Sequence, residues 1–212
     1  MGCCERTVYE SVFDARHAAK DLRRYRTKGP DKTTRMLLHA LRAQGIQDAS
    51  VLDVGAGIGV VHHELLEAGA RSAVHVDAAA PHMQVAREEA VRRGHADRVT
   101  FVRGDFVELA PEIPAADVVA LDRVICCYPD MKQLVGSSAA KAQRLYGAVF
   151  PRERWLLKGV LWLENLVRRL RGDPFRTYVH PTDAIDTEIR RQGLERRSVR
   201  DTFLWRVAVY AR

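Results

Sequence analysis

Short apolar runs alternate with stretches of helical periodicity along the middle of the chain, and this alternation constrains the fold more than any other feature. Four such runs are each followed within three residues by Asp or Gly. They lie at residues 51–54, 73–76, 99–102 and 117–121. Runs of this length predict strands buried on both faces of a sheet. Because helical stretches at 60–68 and 81–93 separate the first three, we expect parallel strands with helices covering both faces.

The second half of the chain extends the same sheet. Residues 131–144 predict a helix, and residues 145–150 predict a fifth strand. Residues 181–192 predict a short helix, and the last apolar runs, at 194–199 and 203–210, predict a closing antiparallel hairpin. The predicted fold is therefore α/β, a doubly wound and mostly parallel seven-stranded sheet with an antiparallel C-terminal strand.

The N-terminal region has helical spacing instead of strands. Residues 5–28 and 33–43 both predict helices, and the intervening Gly29-Pro30 breaks the chain between them. We expect an N-terminal helical cap over residues 1–45, followed by one sheet domain over residues 46–212.

Composition limits the class of protein. A chain of 212 residues that is 47% hydrophobic and 29% charged can build one globular core. No apolar stretch reaches the roughly 18–20 residues of a membrane span, and no secretory signal opens the chain. The net charge of +7 permits nucleic-acid or anionic-lipid partners. The absence of a nucleic-acid-binding motif argues against the first.

The four cysteines form two adjacent pairs, Cys3-Cys4 and Cys126-Cys127. They are too few for a disulfide framework at this length, so we expect a reducing, cytoplasmic setting. Their spacing does not suit zinc. His62 and His63 are not expected to form a metal pair, because adjacent helix positions point apart. The sequence therefore predicts no metal site.

The segment 51–59, Val-Leu-Asp-Val-Gly-Ala-Gly-Ile-Gly, joins the first predicted strand to a helix through three glycines. Glycine lacks a Cβ and tolerates positive φ, so Gly55 and Gly57 allow the backbone to approach a ligand closely. The dinucleotide fingerprint Gly-x-Gly-x-x-Gly requires glycine where Val60 stands. Asp53 also suits a cationic or zwitterionic ligand better than a pyrophosphate.

Acidic residues follow the later strands, at the edge of a parallel sheet where ligands bind. The carboxylate of Asp77 can accept both hydroxyls of an adenosine ribose, a feature that NAD enzymes share with adenosylmethionine enzymes. After the third strand, Asp105 offers a carboxylate to an exocyclic amine and Phe106 offers a ring to flank adenine. The combination favours adenosylmethionine over NAD.

Together these motifs resemble the class I S-adenosylmethionine-dependent methyltransferases, which have a Rossmann-like fold. The resemblance extends by motif over residues 51–122 and by strand–helix order over the whole chain. It implies S-adenosylmethionine as cofactor, with its methionine moiety near Asp53, its ribose at Asp77 and its adenine at Asp105. The cofactor-binding residues that the resemblance implies are Asp53, Gly55, Ala56, Gly57, Gly59, Asp77, Ala78, Gly104, Asp105, Phe106 and Asp122.

A finer similarity concerns the magnesium-protoporphyrin O-methyltransferase group. Its residues here are Tyr25, the segment 122–129 (Asp-Arg-Val-Ile-Cys-Cys-Tyr-Pro) and the segment 178–181 (Tyr-Val-His-Pro). That group tends to carry His where Cys127 stands, so the residue expected beside the transferred methyl differs. The candidate catalytic residues are Tyr25, Cys127 and His180.

The acceptor is expected to be a small molecule. The two cysteine pairs suggest a soft sulfur or metalloid nucleophile. One alternative is O-methylation of a porphyrin-like or natural-product carboxylate or hydroxyl, and another is a non-catalytic binding module that keeps the cofactor fold.

The last feature is a helical insertion at about 152–171 that is rich in Trp and Leu. Its apolar face is expected to roof the acceptor pocket or to pack on the sheet. Contact with an anionic membrane surface is the less favoured alternative.

Overall fold

A computed structural model describes residues 8–9 and 12–212 of the chain. Its seven strands form one sheet in the order β3-β2-β1-β4-β5-β7-β6. The strands are β1 (Ser50–Val54), β2 (Ser72–Asp77), β3 (Val99–Arg103), β4 (Ala116–Asp122), β5 (Ala142–Pro151), β6 (Glu195–Asp201) and β7 (Trp205–Ala211). The described α-helices are α1 (Ala15–Lys28), α2 (Lys32–Arg42), α3 (Val60–Glu67), α4 (Ala80–Arg92), α5 (Phe106–Leu109), α6 (Met131–Ala140), α7 (Trp155–Leu170) and α8 (Thr182–Arg191).

The predicted sheet is confirmed. Strands β1 to β5 are parallel, and β7 inserts antiparallel between β5 and β6. The order of the strands reverses between β1 and β4, because β2 and β3 lie on one side of β1 and β4 on the other. In open sheets of this kind the crevice at the reversal is the usual ligand site.

Two predicted boundaries were wrong. Helix α6 ends at Ala140 and β5 begins at Ala142, whereas the sequence predicted helix to residue 144. Ala142 pairs with Ala116 on β4, and the Ala116 N–H donates to the Lys141 carbonyl. This pairing across the sheet outweighs the local helical preference. In the closing hairpin, Phe203 lies in the turn and β7 begins only at Trp205.

Two apolar layers cover the sheet. One contains α6 and α8, with Leu134, Ile185 and Ile189 fully buried. The other contains α2 and α3, where the buried stripe of α2 includes Leu37 and Leu41. The two helices of the expected cap over residues 1–45 therefore lie in different places. Helix α2 packs in the layer on the sheet, whereas α1 lies over the carboxyl ends of the strands.

Helix α7 differs from its expected packing. None of its residues, all of which are described, is buried, and it does not line the main cavity. Within the described residues, no helix is long and apolar enough to span a membrane.

Candidate active site

A cavity of about 620 Å³ opens at the carboxyl ends of β1, β2 and β4. One half is lined by the glycine loop and by the segments after β2 and β3. The other half is lined by α1, by residues before it and by the segment after β4. This volume lies within the range of about 300–1,000 Å³ that is usual for small-molecule sites.

The glycine loop is pinned to the end of β2. The N–H groups of Gly55 and Ala56 both donate to the Val76 carbonyl, at 2.8 and 3.1 Å. A Cβ on Gly55 would lie 2.5 Å from Val124, so this glycine is required by packing against the segment after β4. Gly57 has a φ of 57°, and a Cβ there would meet nothing closer than 3.9 Å, so its open side faces the cavity.

Asp77 connects this loop to α4. One carboxylate oxygen accepts from the Gly57 N–H at 2.7 Å and the other accepts from the Ala79 N–H at 2.7 Å. Burial raises the pKa of Asp77, and the two N–H groups oppose that rise. Each oxygen of an ionised carboxylate can accept a second hydrogen bond. The side chain lines the cavity and can therefore still take the two hydroxyls of a ribose.

Asp53 is held by a partner that the sequence analysis did not assign. His62 Nδ1 lies 2.9 Å from the Asp53 carboxylate, and the His62 backbone N–H also donates to it. Burial raises the pKa of Asp53 to about 7 and lowers that of His62 to about 3. A neutral imidazole that donates from Nδ1 to Asp53 places no positive charge in the core, and its buried Nε2 has no hydrogen-bond partner among the described residues.

The expectation that His62 and His63 point apart was wrong. Both side chains are buried on α3, and their ring centroids lie 4.3 Å apart. His75 on β2 packs 5.3 Å from His62, and neither of its ring nitrogens has a hydrogen-bond partner among the described residues. No group of three or more described metal-ligating side chains has the geometry of a metal site.

Asp105 begins the short helix α5 and accepts from the Val107 N–H. The Tyr128 hydroxyl donates to its carboxylate at 3.1 Å. Phe106 is buried against the sheet but still reaches the cavity. An adenine amine placed here would share the Asp105 carboxylate with Tyr128.

Asp122 lies at the end of β4 and connects the sheet to the N-terminal helices. It accepts from the Thr34 hydroxyl at 2.5 Å and from Arg123 Nε at 3.2 Å. Arg123 has a φ of 62° and also donates to Asp31, which Arg24 of α1 contacts as well. Burial raises the pKa of Asp122, and Arg123 opposes that rise.

Most of the predicted cofactor residues line this one cavity. Among them are Asp53, Gly55, Ala56, Gly57, Asp77, Ala78, Gly104, Asp105, Phe106 and Asp122. Gly59 does not line it. A Cβ on Gly59 would lie 2.6 Å from the His62 ring, so this glycine makes room for the buried histidines.

Tyr25 lines the cavity with its ring, but its hydroxyl donates to Glu64 at 2.8 Å. The Arg93 guanidinium stacks on the ring at 4.6 Å. Burial raises the pKa of Tyr25, and the Glu64 carboxylate raises it further. These contacts hold α1 against α3 and α4, and they make the hydroxyl a poor base.

Cys126 and Cys127 form a 3₁₀ turn after β4. Their sulfurs lie 3.7 Å apart, and the Cys126 thiol also contacts the Arg123 carbonyl. The contact between the thiols raises the pKa of Cys126 and lowers that of Cys127. Both residues line the cavity, and the Cys127 carbonyl accepts from Tyr9. Cys3 and Cys4 lie outside the described residues.

His180 does not line the cavity. Its Nε2 lies 2.9 Å from the Tyr128 carbonyl, and its ring stacks on Tyr178 at 5.5 Å. Because a carbonyl only accepts, Nε2 must carry the proton. Burial lowers the pKa of His180 despite this contact. The side chain fixes the segment after β4 and does not face the cavity.

A histidine–carboxylate cluster on α1 and α4 was missed by the sequence reasoning. Asp21 lies 3.7 Å from Nε2 of both His17 and His82. Nδ1 of His17 donates to the Val12 carbonyl and Nδ1 of His82 donates to the Phe13 carbonyl. All three side chains line the cavity. The i,i+4 spacing of His17 and Asp21 was visible in the sequence, but the arrival of His82 from α4 was not.

The comparisons with known proteins agree with this geometry. Residues 51–142 match a family model described as a methyltransferase domain. The ribosomal protein L11 methyltransferase of Pseudomonas fluorescens is 31% identical over 133 residues, which cover 63% of this chain and 41% of that protein. The Pasteurella multocida enzyme of the same name is 32% identical over 109 residues, 50% of this chain and 37% of that protein. The chain thus spans about two fifths of these relatives.

Solved structures extend the likeness to the whole fold. Magnesium protoporphyrin IX methyltransferase from Synechocystis, crystallised with S-adenosylhomocysteine, superposes with a TM-score of 0.77. It is 18% identical, and the match covers 98% of this chain and 100% of that one. An O-methyltransferase family protein from Burkholderia thailandensis has a TM-score of 0.72 at 18% identity, over 96% of this chain and 62% of that one.

The fold and the family match together define the class of protein. Residues 51–142 form a methyltransferase domain, the whole chain has the fold of S-adenosylmethionine-dependent methyltransferases, and the cofactor is S-adenosylmethionine. The residues present fit that cofactor. Gly57 leaves open space where a Cβ would stand, and the Asp77 carboxylate, which lines the same cavity, can accept further hydrogen bonds.

Proposed function

We propose that this methyltransferase acts on a hydroxyl oxygen of a small aromatic molecule. The observation that carries the proposal is the acceptor half of the cavity, where aromatic rings stand beside a histidine–carboxylate pair. Phe13 and Tyr9 line this wall, and Phe175 makes T-shaped ring contacts with both of them. Aromatic side chains of this kind form offset or edge-to-face contacts with a flat ligand.

When bound, S-adenosylmethionine supplies a methyl group that is already activated by its sulfonium. The work left to this chain is to orient the acceptor, exclude water and remove a proton where the acceptor carries one. The glycine loop, Asp77 and Asp105 would hold the cofactor. Phe13 and Tyr9 would hold the plane of the acceptor.

His17 is the residue we assign to proton removal. Its Nδ1 is engaged with the Val12 carbonyl, so the lone pair is on Nε2, which faces Asp21. The imidazolium formed on taking the hydroxyl proton would be stabilised by that carboxylate. His82 has the same relation to Asp21, but its side chain is buried, whereas 41% of the His17 side chain is exposed. His17 is therefore the accessible member of the pair.

The names of two proteins with similar folds support an oxygen acceptor. Two similar folds are a magnesium protoporphyrin IX methyltransferase and an O-methyltransferase family protein. The L11 methyltransferases match over less than half of their own length. A small-molecule acceptor is therefore favoured over a ribosomal protein.

A second candidate rests on Cys127, which lines the cavity and whose pKa is lowered through the Cys126 thiol. A thiol at this position could contact a soft sulfur or metalloid acceptor. The two proposals differ in their products, which are a methyl ether for a phenol and a methylated sulfur or arsenic atom for a soft nucleophile.

The experiment is methyl transfer from labelled S-adenosylmethionine to phenols, a metalloporphyrin carboxylate, thiols, hydrosulfide and arsenite, with products identified by mass spectrometry. We expect methyl ethers, and we expect Cys127→Ser to retain that activity. Products confined to sulfur or arsenic, with activity lost in Cys127→Ser, would replace the first proposal by the second. Products confined to the carboxylate would remove the need for His17.

A further inference from the structure

Helix α7 shows a burial pattern opposite to that of a helix in a globular protein. The residues that turn partly towards the protein recur with a spacing of three to four. They are Leu157, Leu161, Glu164, Asn165 and Arg168. The solvent-facing side instead carries large apolar residues, with Trp155 and Leu170 each 79% exposed and Trp162 67% exposed. Exposed apolar surface of this extent marks an interaction site.

Polar contacts fix the helix in this orientation. The Asn165 side chain donates to the Thr177 carbonyl at 2.7 Å and accepts from the Thr177 N–H at 3.0 Å. Arg168 binds Asp173 at 2.8 Å and Glu164 at 2.9 Å. Because the bonds to Thr177 and Asp173 join the inner face to residues outside the helix, rotating α7 to bury its apolar side would break them.

The turn between β6 and β7 extends the apolar surface at the helix N-terminus. Phe203 and Leu204 are exposed there. The Arg154 guanidinium lies 4.5 Å from the Phe203 ring centroid and donates to the Phe203 carbonyl at 3.2 Å. The turn and the helix are thus joined by a direct contact.

The charges around this surface are predominantly positive. The segment 152–171 contains six basic residues and two acidic ones. Both acidic residues are paired within the segment, Glu153 with Lys158 and Glu164 with Arg168. Arg152 also binds Asp201 and Arg168 also binds Asp173, which leaves Arg154, Arg169 and Arg171 without an acidic partner among the described residues. An apolar strip bordered by cations complements a bilayer that carries anionic headgroups, where Trp is favoured at the interface.

We infer that α7 and the adjoining Phe203-Leu204 turn form a docking surface for an anionic membrane. At 16 residues, α7 is about 24 Å long, and it would lie in the plane of the headgroups. The inner face of the helix leads to the cavity wall, because Arg168 stacks on Phe175, which packs against Phe13. Docking would therefore hold the catalytic domain at the bilayer surface.

The test is co-sedimentation of the 212-residue chain with vesicles, without cofactor or acceptor, so the result does not depend on methyl transfer. Vesicles of phosphatidylcholine are compared with an equal mixture of phosphatidylcholine and phosphatidylglycerol, each at low and high salt. We expect binding to the anionic vesicles at low salt, weaker binding at high salt and little binding to phosphatidylcholine.

Three exposed variants separate the contributions. The double variant Trp155→Ser/Trp162→Ser should bind at least about tenfold more weakly, because apolar burial drives insertion. The double variant Arg169→Gln/Arg171→Gln should bind about thirtyfold more weakly, since each basic residue contributes about 1 kcal/mol. Val91→Ser is the matched control, since Val91 is 69% exposed on α4, and it should leave binding unchanged.

Several results would overturn the inference. One is no binding to anionic vesicles at low salt by a protein that retains its circular dichroism spectrum. Another is binding that the tryptophan variant leaves unchanged, which would indicate general attraction of a basic protein. A third is a dimer in sedimentation velocity that the tryptophan variant dissociates, without vesicle binding, which would assign the surface to a second copy of the chain.

Discussion

Replacing His75 with leucine should stabilise the protein, and the gain should grow as the pH falls. His75 is fully buried on β2, and both of its ring nitrogens are unsatisfied among the described residues. Burial lowers its pKa well below 6.5, so the folded state keeps the ring neutral. The unfolded chain binds a proton below pH 6.5, so stability falls as the pH is lowered.

The magnitude follows from this linkage. In the unfolded chain a histidine has a pKa of about 6.5, so pH 5 lies about 1.5 pH units below it. Protonation therefore stabilises the unfolded state by about 2 kcal/mol at pH 5 relative to pH 8. Removing two unsatisfied buried nitrogens adds about 1–3 kcal/mol at any pH. His75→Leu should therefore be more stable by about 2 kcal/mol at pH 8 and by about 4 kcal/mol at pH 5.

The assay is urea unfolding of both proteins at pH 5 and pH 8, with equal slopes confirming that the unfolded states are comparable. His39→Leu is the control, because His39 is exposed on α2 and stays in contact with water in both states. A stability difference that is the same at both pH values would refute the reasoning. It would mean that the folded protein protonates His75 as readily as the unfolded chain does.

Three further predictions concern the site and its support. Glu89→Gln should lower the free energy of unfolding by about 3 kcal/mol, because the buried Glu89 carboxylate binds three arginines. In the same urea titration, Glu88→Gln should change the free energy of unfolding little, because Glu88 is exposed. Gly57→Ala should weaken S-adenosylhomocysteine binding in calorimetry, because the φ of 57° at this position costs alanine about 1 kcal/mol and the new Cβ enters the cavity. Unchanged affinity would contradict the role of the loop in cofactor binding. His17→Gln should lower kcat for a phenol by about 10²-fold or more with KM little changed, and raising the pH should restore part of the lost kcat. An equal loss of kcat on a carboxylate acceptor would contradict the role of His17 as a base.

Most of the cofactor residues that the sequence predicted line one cavity, because that half is built from local features, and their contact with the cofactor stays a prediction. Gly57 and Asp77 lie next to strand ends, and parallel strands bring their carboxyl ends to one edge. Alternating strands and helices determine that arrangement without knowledge of any distant contact.

The acceptor half could not be predicted in the same way. The Asp21 cluster needs α1 to pack on α4, and the contact of Asp53 with His62 depends on how α3 leaves the glycine loop. The orientation of helix α7 could not be predicted for a related reason. Its apolar pattern is that of a buried helix, and only the contacts of Asn165 and Arg168 reveal which face turns inward.

The central claim is that this cavity binds S-adenosylmethionine through Asp77 and the glycine loop. Isothermal titration calorimetry with S-adenosylhomocysteine tests it most directly. We expect one site per chain with a Kd on the order of micromolar, near −8 kcal/mol, and at least about tenfold weaker binding by Asp77→Asn, since hydrogen bonds to a charged group contribute about 1.5–3 kcal/mol. No binding by the wild type at millimolar ligand, or equal affinity of a folded Asp77→Asn variant, would contradict the claim.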